Sequence, residues 1–261
     1  MVTTEVKITD KQFKQLSDIV YKETGIVLDE KKYNLLVARL SKRMRKTKTK
    51  TVSDYVQLIL DKEEEFANFI DATTTNHTFF FRENKHCEYM LKTLDNSKPL
   101  KIWCAASSSG EEPFSIAFQL LEHSFSFSIF ASDVSDSMLA QCRQAIYPKE
   151  KIKNVSLPVL HKYFQNGRGK WQNFVRVRPE VKKLVTFGKF NLLHDIPSDE
   201  FDIIFCRNVM IYFDVQTRQH VVNRLCRAIK PGGYFFVGMS ESLHGLDHDL
   251  INVVSSGYQK K

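Results

Sequence analysis

Apolar residues recur at helical spacing through the first part of the chain. The positions that define the first predicted helix share one face: Phe13, Leu16, Ile19 and Val20. Gly25 is placed to end this helix, and a second amphipathic helix begins near Asp29. Two more helices are predicted over residues 51–61 and 62–74. Residues 1–75 are therefore predicted to form a small domain made only of helices.

From about residue 98 the pattern changes to short apolar strands that alternate with amphipathic helices. Strands are predicted at 101–106, 126–132, 201–206 and 233–239, and helices at 114–123, 135–145 and 215–229. This alternation is typical of βαβ units, and it predicts a doubly wound, mainly parallel α/β sheet with helices on both faces. We assign residues 98–261 to this domain and residues 76–97 to a linker.

Residues 160–190 do not follow the alternation. They contain two β-like stretches, NFVRVRP and KLVTFGKF, near a loop that contains glycine. Because two β-like stretches around such a loop break the alternation of strands and helices, we predict a small antiparallel β-subdomain here, as an excursion from the main sheet.

The first predicted strand runs into a turn of small residues, from Ala105 to Gly110. Such a turn lets the backbone approach a ligand closely, and sheets of this class bind ligands beyond the carboxyl ends of their strands. Asp133 lies 23 positions after Gly110. That is near the offset of roughly 20 residues at which an acid meets ribose hydroxyls in such folds.

The turn lacks the GxGxxG pattern that serves a pyrophosphate, and the two acids that follow it, Glu111 and Glu112, would repel a phosphate. An acidic helix start suits a ligand with a ribose and a cationic amine but no phosphate. S-adenosylmethionine has this character. The alternative is that both acids only complement the dipole of the helix.

Composition narrows the class of protein. With 43% hydrophobic and 26% charged residues, the chain is typical of a globular protein. It contains no apolar run near the roughly 20 residues that cross a membrane and no secretory signal, so we expect a cytoplasmic protein without direct membrane insertion.

The five cysteines form no CxxC pair, which favours buried apolar roles over disulfides or zinc. The net charge of +8 indicates an acidic partner, which nucleic acid, anionic lipid and an acidic protein surface would all satisfy.

Five segments resemble, in order, the motifs of one enzyme family. They are TTTNHTFFFRE (73–83), AASSSGEEPFSIA (105–117), FASDVS (130–135), FDIIFCRNVMIYFD (201–214) and PGGYFFVGMSESL (231–243). On these segments the chain is similar to the CheR-type methyltransferases, which methylate chemoreceptor glutamates. The resemblance implies a class I, Rossmann-like methyltransferase with S-adenosylmethionine as donor, S-adenosylhomocysteine as product and no metal. The implied reaction is protein-glutamate O-methylation, which gives methyl esters for sensory adaptation.

The same resemblance implies roles for individual residues. The cofactor-binding set comprises Asn76, Thr78, Arg82, Glu112, Asp133, Asn191, Leu192, Arg207 and Asn208. In this set Asp133 takes the ribose hydroxyls, Asn191 and Leu192 flank the adenine, and the last two residues lie near the methionine portion. Arg82 and Tyr212 are the expected catalytic residues, closest to the transferred methyl and the incoming carboxylate.

Three positions depart from the family pattern. Ser109 stands before Gly110 where a threonine is expected, Met239 stands where the family usually has histidine, and His77 occupies a variable position. None of the three is a residue to which a role is assigned, so the expected activity is unchanged.

Two surfaces are candidates for partner recognition. The helix that starts near Asp29 carries basic residues on one face, at Arg39, Lys42, Arg43 and Lys46. This face is either a solvated surface or, as the resemblance implies, the docking site for the acidic cytoplasmic helices of chemoreceptors. The β-subdomain resembles one that, in some family members, captures a receptor's C-terminal peptide by strand addition.

Two other functions remain open from sequence. One is methylation of RNA or of another carboxyl substrate, although the basic helix offers only Tyr33 for base stacking, so we predict no nucleic-acid partner. The other is a non-catalytic scaffold that senses the cofactor, which the presence of Arg82, Asp133 and Tyr212 argues against.

Overall fold

The computed structural model describes residues 6–261, which form two compact units. The first unit comprises the described residues up to Thr75 together with Tyr212–Thr217, and the second comprises Asn76–Ile211 and Arg218–Lys261. No local pattern in the sequence indicates that residues 212–217 group with the N-terminal helices.

The N-terminal part of the first unit is helical, as predicted. Its α-helices are α1 Asp10–Thr24, α2 Tyr33–Thr47, α3 Val52–Asp61 and α4 Glu63–Thr73, with a 3-10 turn at Glu30–Lys32. Thr9 and Gln12 form a capping box at the start of α1, and Gly25 ends it in the left-handed conformation, at φ 73°. The apolar faces of α1 and α2 are buried through Leu16, Val20, Leu36 and Leu40.

Arg43 does not lie on an exposed basic face. Its side chain is 10% exposed and donates to both carboxylate oxygens of Glu65, at 2.9 and 2.5 Å. Tyr55 donates to the same carboxylate at 2.7 Å. The prediction that Arg43 serves substrate docking is therefore wrong, because its guanidinium is used to neutralise a buried acid inside the helical unit.

The second unit is built on a seven-stranded sheet with the order β6-β2-β1-β7-β8-β10-β9. These strands are β1 Leu100–Ala105, β2 Phe127–Asp133, β6 Val185–Lys189, β7 Phe201–Cys206, β8 Ile229–Val237, β9 Leu250–Val254 and β10 Gly257–Lys260. The first five strands in this order, from β6 to β8, run parallel to their neighbours. Strand β10 pairs antiparallel with both β8 and β9. This architecture confirms the predicted doubly wound, mainly parallel α/β fold.

Both faces of the central strands are buried, as expected for parallel strands between helices. On one face Trp103 is fully buried, contacts the rings of Phe130 and Phe201, and donates its indole N–H to Ser132. On the other face Phe205 stacks on Phe236. The helices of this part of the chain are α5 Lys85–Thr93, α6 Glu111–Glu122, α7 Asp136–Gln144, α8 Leu157–Tyr163, α9 Pro179–Lys182 and α10 Val215–Arg227, which begins in the first unit.

A separate three-stranded antiparallel sheet has the order β3-β5-β4, formed by Ile146–Pro148, Phe174–Val177 and Phe164–Asn166. This confirms an antiparallel subdomain but corrects its extent. The stretch KLVTFGKF forms β6, which pairs in parallel with β2 at the edge of the main sheet. The subdomain instead takes its first strand from residues 146–148, which are too few to show an alternation.

Further elements were not predicted from sequence. Helix α5 lies in the segment assigned as a linker, and the hairpin β9–β10 completes the main sheet. Strand β8 begins at Ile229, earlier than the predicted 233–239, and its pairing with β7 shifts register between Phe201 and Ile203.

The positive charge of the chain is concentrated in the antiparallel subdomain and its flanks. Residues 146–183 contain ten Lys and Arg but only two Asp and Glu, a net charge of +8. This equals the net charge of the whole chain, so the charges of all other residues sum to zero.

All five cysteines are buried and free, which confirms their predicted role as small apolar residues. Burial raises the pKa of Cys87 and of Cys226 to about 12. None of the helices between residues 6 and 261 is both long and apolar enough to cross a membrane.

The buried ion pair in the helical unit gives a first prediction. Replacing Arg43 by Met keeps the aliphatic bulk but leaves Glu65 buried without its cation, which should lower the free energy of unfolding by about 3 kcal/mol. Urea denaturation followed by far-UV circular dichroism measures this change. Arg45→Met on the same helix is the matched control, because Arg45 is exposed and its loss should change stability by less than about 0.5 kcal/mol. Equal effects of the two substitutions would contradict the structural role of Arg43.

Candidate active site

Five parallel neighbours, β6, β2, β1, β7 and β8, present their carboxyl ends at one edge of the sheet. This is the edge at which folds of this class bind ligands. The residues at or just after these strand ends are, in the spatial order of the strands, Asn191, Asp133, the turn 107–110, the pair Arg207 and Asn208, and the turn 239–241. Most of the predicted cofactor residues of the second unit thus follow neighbouring strands.

The turn after β1 is wound tightly. Ala106, Ser108 and Gly110 all have positive φ, at 60°, 50° and 92°. A Cβ atom on Gly110 would lie 3.0 Å from the sulfur of Cys142 and 3.1 Å from the hydroxyl of Tyr147. Glycine is therefore required here both for its backbone conformation and for space.

Asp133 is buried at the end of β2 and holds this turn. Its Oδ2 accepts the Ser108 backbone N–H at 2.8 Å, and its Oδ1 accepts the Ser135 N–H at 3.0 Å. The hydroxyl of Ser108 donates to the backbone carbonyl of Asn76 at 3.0 Å. The structure therefore brings Asp133 and Asn76, two of the predicted cofactor residues, to the same turn. A carboxylate offers about four acceptor positions, a chemistry that suits ligand hydroxyls.

Arg207 is the centre of a second cluster. Its side chain is 2% exposed and donates to Glu112 at 2.9 Å and to Glu83 at 3.0 Å. It also donates to the backbone carbonyl of Arg82 at 2.7 Å. The carboxylate of Glu83 accepts two further hydrogen bonds, from the Asn208 side chain at 3.0 Å and from the Met239 N–H at 2.9 Å. The predicted site residues Arg82, Glu112 and Asn208 are thus joined to Arg207, directly or through Glu83.

Burial and charge oppose each other in this cluster. Burial raises the pKa of Glu112 above its usual range despite the neighbouring Arg207. Burial alone would also raise the pKa of Glu83, but hydrogen bonds from Asn208 and Met239 and the charge of Arg207 outweigh it, so the pKa is lowered. For Arg207, burial alone would lower the pKa, but the two carboxylates outweigh it and raise the pKa. The guanidinium therefore stays charged.

Two residues of the site, Glu83 and Glu241, were not predicted from the sequence. The buried carboxylate of Glu241 accepts backbone N–H groups of Asn208 at 2.8 Å, Gly238 at 2.5 Å and Ile211 at 3.1 Å. The backbone donors alone would lower the pKa of Glu241, but burial outweighs them, so the pKa is raised. Glu83 and Glu241 both lie within the segments that carry the family resemblance, and their position there is the signal that could have found them.

The Arg82 guanidinium is half-buried beside this cluster. It donates to the His77 carbonyl at 3.0 Å, lies 5.6 Å from the centre of the Phe79 ring and is 3.8 Å from Glu83. Thr78, in the same segment, is also half-buried.

At the other end of the edge, Asn191 forms a local turn. Its side-chain oxygen accepts the Leu193 N–H at 2.9 Å, and its own N–H donates to Asp195 at 2.7 Å. Leu192 lies between the two bonded positions and is half-buried.

The two acids at the start of α6 differ. Glu112 pairs with Arg207, but Glu111 is fully buried, accepts the Ser109 hydroxyl at 2.6 Å and forms an ion pair with Lys151. The interpretation that both acids face a cationic ligand is therefore wrong for Glu111, whose charge is neutralised from residues next to β3.

The remaining predicted residues belong to the first unit. The backbone carbonyl of Tyr212 accepts the Val27 N–H at 2.9 Å. The centre of the Tyr212 ring is 5.5 Å from the Lys32 ammonium group. Lys42 and Lys46 are exposed, whereas Arg39 is half-buried and donates to the Thr73 carbonyl at 2.5 Å. Tyr212 is thus grouped with the helices, and Arg82 is not.

Comparison with known proteins identifies this arrangement. Residues 76–258 match the profile of the CheR methyltransferase, SAM binding domain, and residues 11–74 match that of the CheR methyltransferase, all-alpha domain. The chain belongs to the CheR methyltransferase family. This confirms the resemblance and identifies the protein as an S-adenosylmethionine-dependent methyltransferase.

Curated relatives extend over nearly the whole chain. Chemotaxis protein methyltransferase 2 of Pseudomonas aeruginosa is 37% identical, over 97% of this chain and 94% of the relative. The chemotaxis protein methyltransferase of Escherichia coli is 36% identical, over 94% of this chain and 89% of the relative. The chemotaxis protein methyltransferase of Borreliella burgdorferi is 36% identical, over 98% of this chain and 96% of the relative.

The residues of this CheR-family site fit S-adenosylmethionine. The edge of the sheet carries the carboxylates of Asp133 and Glu112, which suit ribose hydroxyls and a cationic amine. The turn after β1, which carries only small side chains from Ala105 to Gly110, lies at this edge and lets the backbone approach a ligand closely. The departures from the family pattern are also accommodated. Met239 contributes a backbone N–H, and Ser109 supplies the hydroxyl that bonds Glu111.

Proposed function

We propose that this CheR-family protein transfers the methyl group of S-adenosylmethionine to glutamate carboxylates of chemoreceptors and forms methyl esters. The observation that carries the proposal is the family match over both domains, together with an arginine, Arg82, beside the acidic edge of the sheet. Within residues 6–261 its one carboxylate contact inside 4 Å is Glu83, at 3.8 Å. This separation leaves N–H donors for an incoming carboxylate. The relatives' names and the acidic receptor helices point to the cytoplasm as the place of action.

The chemistry requires no general base. A glutamate side chain in water has a pKa of about 4.3, so it is already an anionic nucleophile at neutral pH. When bound, the cofactor supplies an electrophilic methyl group on a sulfonium. Because opposite charges neutralise as the methyl moves, a dry site that aligns the reacting atoms provides most of the acceleration.

Arg82 is proposed to orient the substrate carboxylate, with the Tyr212 hydroxyl helping to position the reacting groups. A tight bidentate pair with arginine would lower the nucleophilicity of the carboxylate, so orientation is the favoured role. The Phe79 ring beside the guanidinium supports this by restricting its orientation.

For the cofactor, we propose that Asp133 binds the ribose hydroxyls and Glu112 the cationic amine. Support comes from the position of Asp133 at the end of β2 and of Glu112 in the first turn of α6, which follows the turn after β1. The other proposed contacts are Asn76 and Thr78 in the segment before α5, Asn191 and Leu192 beside the adenine, and Arg207 and Asn208 near the methionine portion.

A pH prediction follows from Glu112. Its pKa is raised, so its carboxylate is lost by protonation at a higher pH than for an ordinary glutamate. Affinity for the cationic cofactor should therefore be full above that pKa and fall as the pH decreases through it. Glu112→Gln should weaken binding at neutral pH by about ten-fold, the scale of one charged hydrogen bond, and flatten this pH dependence. Isothermal titration calorimetry across pH measures both effects. Glu122→Gln, at the exposed end of the same helix, is the control, and an unaltered pH profile in Glu112→Gln would remove Glu112 from the site.

The reaction itself is tested with tritiated S-adenosylmethionine and membranes that carry candidate receptors. Label should enter receptor protein and be released by alkali, because methyl esters hydrolyse readily. Arg82→Ala should lower turnover by about 100-fold with cofactor affinity changed much less, as expected for a group that acts on the reacting carboxylate. Label in RNA, in a different carboxyl substrate or in no acceptor at all would each replace this proposal.

The exposed basic residues of α2 are proposed to dock the acidic receptor helices. Lys42 and Lys46 are fully available, and Arg39 is partly so. Complementary charge of this kind raises the association rate and sets the register of the partner more than it adds affinity.

We also propose that the antiparallel subdomain binds a receptor C-terminal peptide. Strand β4 is an edge strand, so one side of its backbone can pair with an added strand. Beside it lies a cleft of about 750 Å³, lined by apolar residues such as Leu160 and Phe164 and by Arg168 and Arg178. The net charge of +8 in residues 146–183 favours an acidic segment with a terminal carboxylate.

Calorimetry with the tail peptide of a methylated receptor tests this docking. Micromolar binding is expected, and Arg168→Ala should weaken it about ten-fold, since one charged contact is lost. Lys62→Ala, an exposed substitution in the helical unit, should leave the affinity unchanged. Lack of heat with the peptide, alongside normal heat with cofactor, would exclude tethering.

A further inference from the structure

Glu83 follows the proposed catalytic arginine in the chain, yet the function described above gives it no role. Its carboxylate accepts hydrogen bonds from Asn208, Arg207 and the Met239 N–H, all between 2.9 and 3.0 Å. These donors follow strands β7 and β8, whereas Glu83 belongs to the segment that begins at Asn76. One side chain therefore links three separate parts of the chain at the site.

The backbone around Arg82 is held in an unfavourable conformation. Phe81 and Glu83 have φ values of 59° and 50°, in the left-handed region that residues with a Cβ rarely adopt. The Phe81 N–H donates to the Ser115 hydroxyl at 2.9 Å, and the Arg82 carbonyl accepts from Arg207 at 2.7 Å. Because the Glu83 carboxylate anchors the end of this segment, it determines where the Arg82 side chain starts.

Glu83 also fixes Asn208, which has a φ of 59°. The Asn208 backbone N–H donates to Glu241 and its side-chain NH2 donates to Glu83. Since the amide nitrogen faces Glu83, the amide oxygen is directed away from it. The orientation of this amide is thus set before any ligand arrives, with an acceptor left to meet a donor group of the ligand.

The charge of Glu83 matters as much as its shape. A single carboxylate oxygen accepts from both Arg207 and Met239, and the other accepts from Asn208. A glutamine has the same size, but its NH2 group can accept no hydrogen bond and would face at least one of these donors. Arg207, which is buried, would also lose one of its two carboxylate partners.

We propose that Glu83 is a positioning residue for methyl transfer, whose carboxylate holds Arg82, Arg207 and Asn208 in a preformed arrangement. It acts through these residues and does not contact the reacting atoms. This inference rests on the proposed function for the meaning of turnover, but its effect on cofactor binding does not require any particular methyl acceptor.

The test compares Glu83→Gln and Glu83→Asp with the native protein, using calorimetry with S-adenosylhomocysteine and receptor methylation with labelled cofactor. Glu83→Gln should weaken cofactor affinity about ten-fold and lower kcat about 100-fold, with the KM for receptor changed less than about two-fold. Glu83→Asp keeps the charge but is one methylene shorter, so it should recover part of the loss. Glu88→Gln is the matched control, because Glu88 is an exposed acid on the adjoining helix that bonds Asn84 and not the site.

A purely structural role gives a different result. It would reduce the number of binding sites and kcat in the same proportion, with the dissociation constant of the remaining sites unchanged, and that outcome overturns the proposal. Native affinity and turnover in Glu83→Gln would overturn it as well. If Glu83→Gln does not fold, Glu83→Asp provides the comparison, and failure of both to fold would assign Glu83 to stability alone. If the proposed function is wrong, the native protein will bind S-adenosylhomocysteine without labelling receptor, and the calorimetric comparison still decides the role of Glu83.

Discussion

The burial of one guanidinium, that of Arg207, is the constraint on which the rest of the site depends. A cation with 2% of its side chain exposed is tolerated only when opposite charges contact it. Glu83 and Glu112 supply these charges from segments that are distant along the chain. Their pairing draws the end of β7, the start of α6 and the residues around Arg82 together. Since two carboxylates contact this one guanidinium, the charge of Arg207 is fully compensated inside the site.

Backbone strain is concentrated at the same edge. Nine residues other than glycine have positive φ in the described part of the chain, and five of them lie at the site: Phe81, Glu83, Ala106, Ser108 and Asn208. Each such residue costs roughly 1–2 kcal/mol, so the edge is an energetically unfavourable part of the fold. The buried aromatic residues on both faces of the sheet offset this cost, and hydrogen bonds donated by the backbone N–H groups of Ser108 and Asn208 to Asp133 and Glu241 hold the strained turns in place.

The sequence was sufficient for what depends on local pattern. The central strands are apolar on both faces, and Gly25 marks a helix end, so both could be predicted. Pairing partners are not encoded locally, which is why KLVTFGKF was assigned to the wrong sheet. The same limit applies to Arg43, whose spacing suggests an exposed face although its partner Glu65 lies 22 residues away. At the site, motif positions indicated Asp133 and Arg207, but Glu83 contacts Asn208 across 125 residues, and no periodicity reveals such a bond.

The uneven charge of the chain has a consequence for how it meets another molecule. Because residues 146–183 hold an excess of eight positive charges and the rest of the chain is balanced, an acidic surface exerts a torque on the protein as well as an attraction. At physiological ionic strength this field decays over about 8 Å, so rotation occurs within the last few layers of water before contact. An acidic surface would therefore tend to meet the antiparallel subdomain first, and a larger share of its collisions would occur in that orientation.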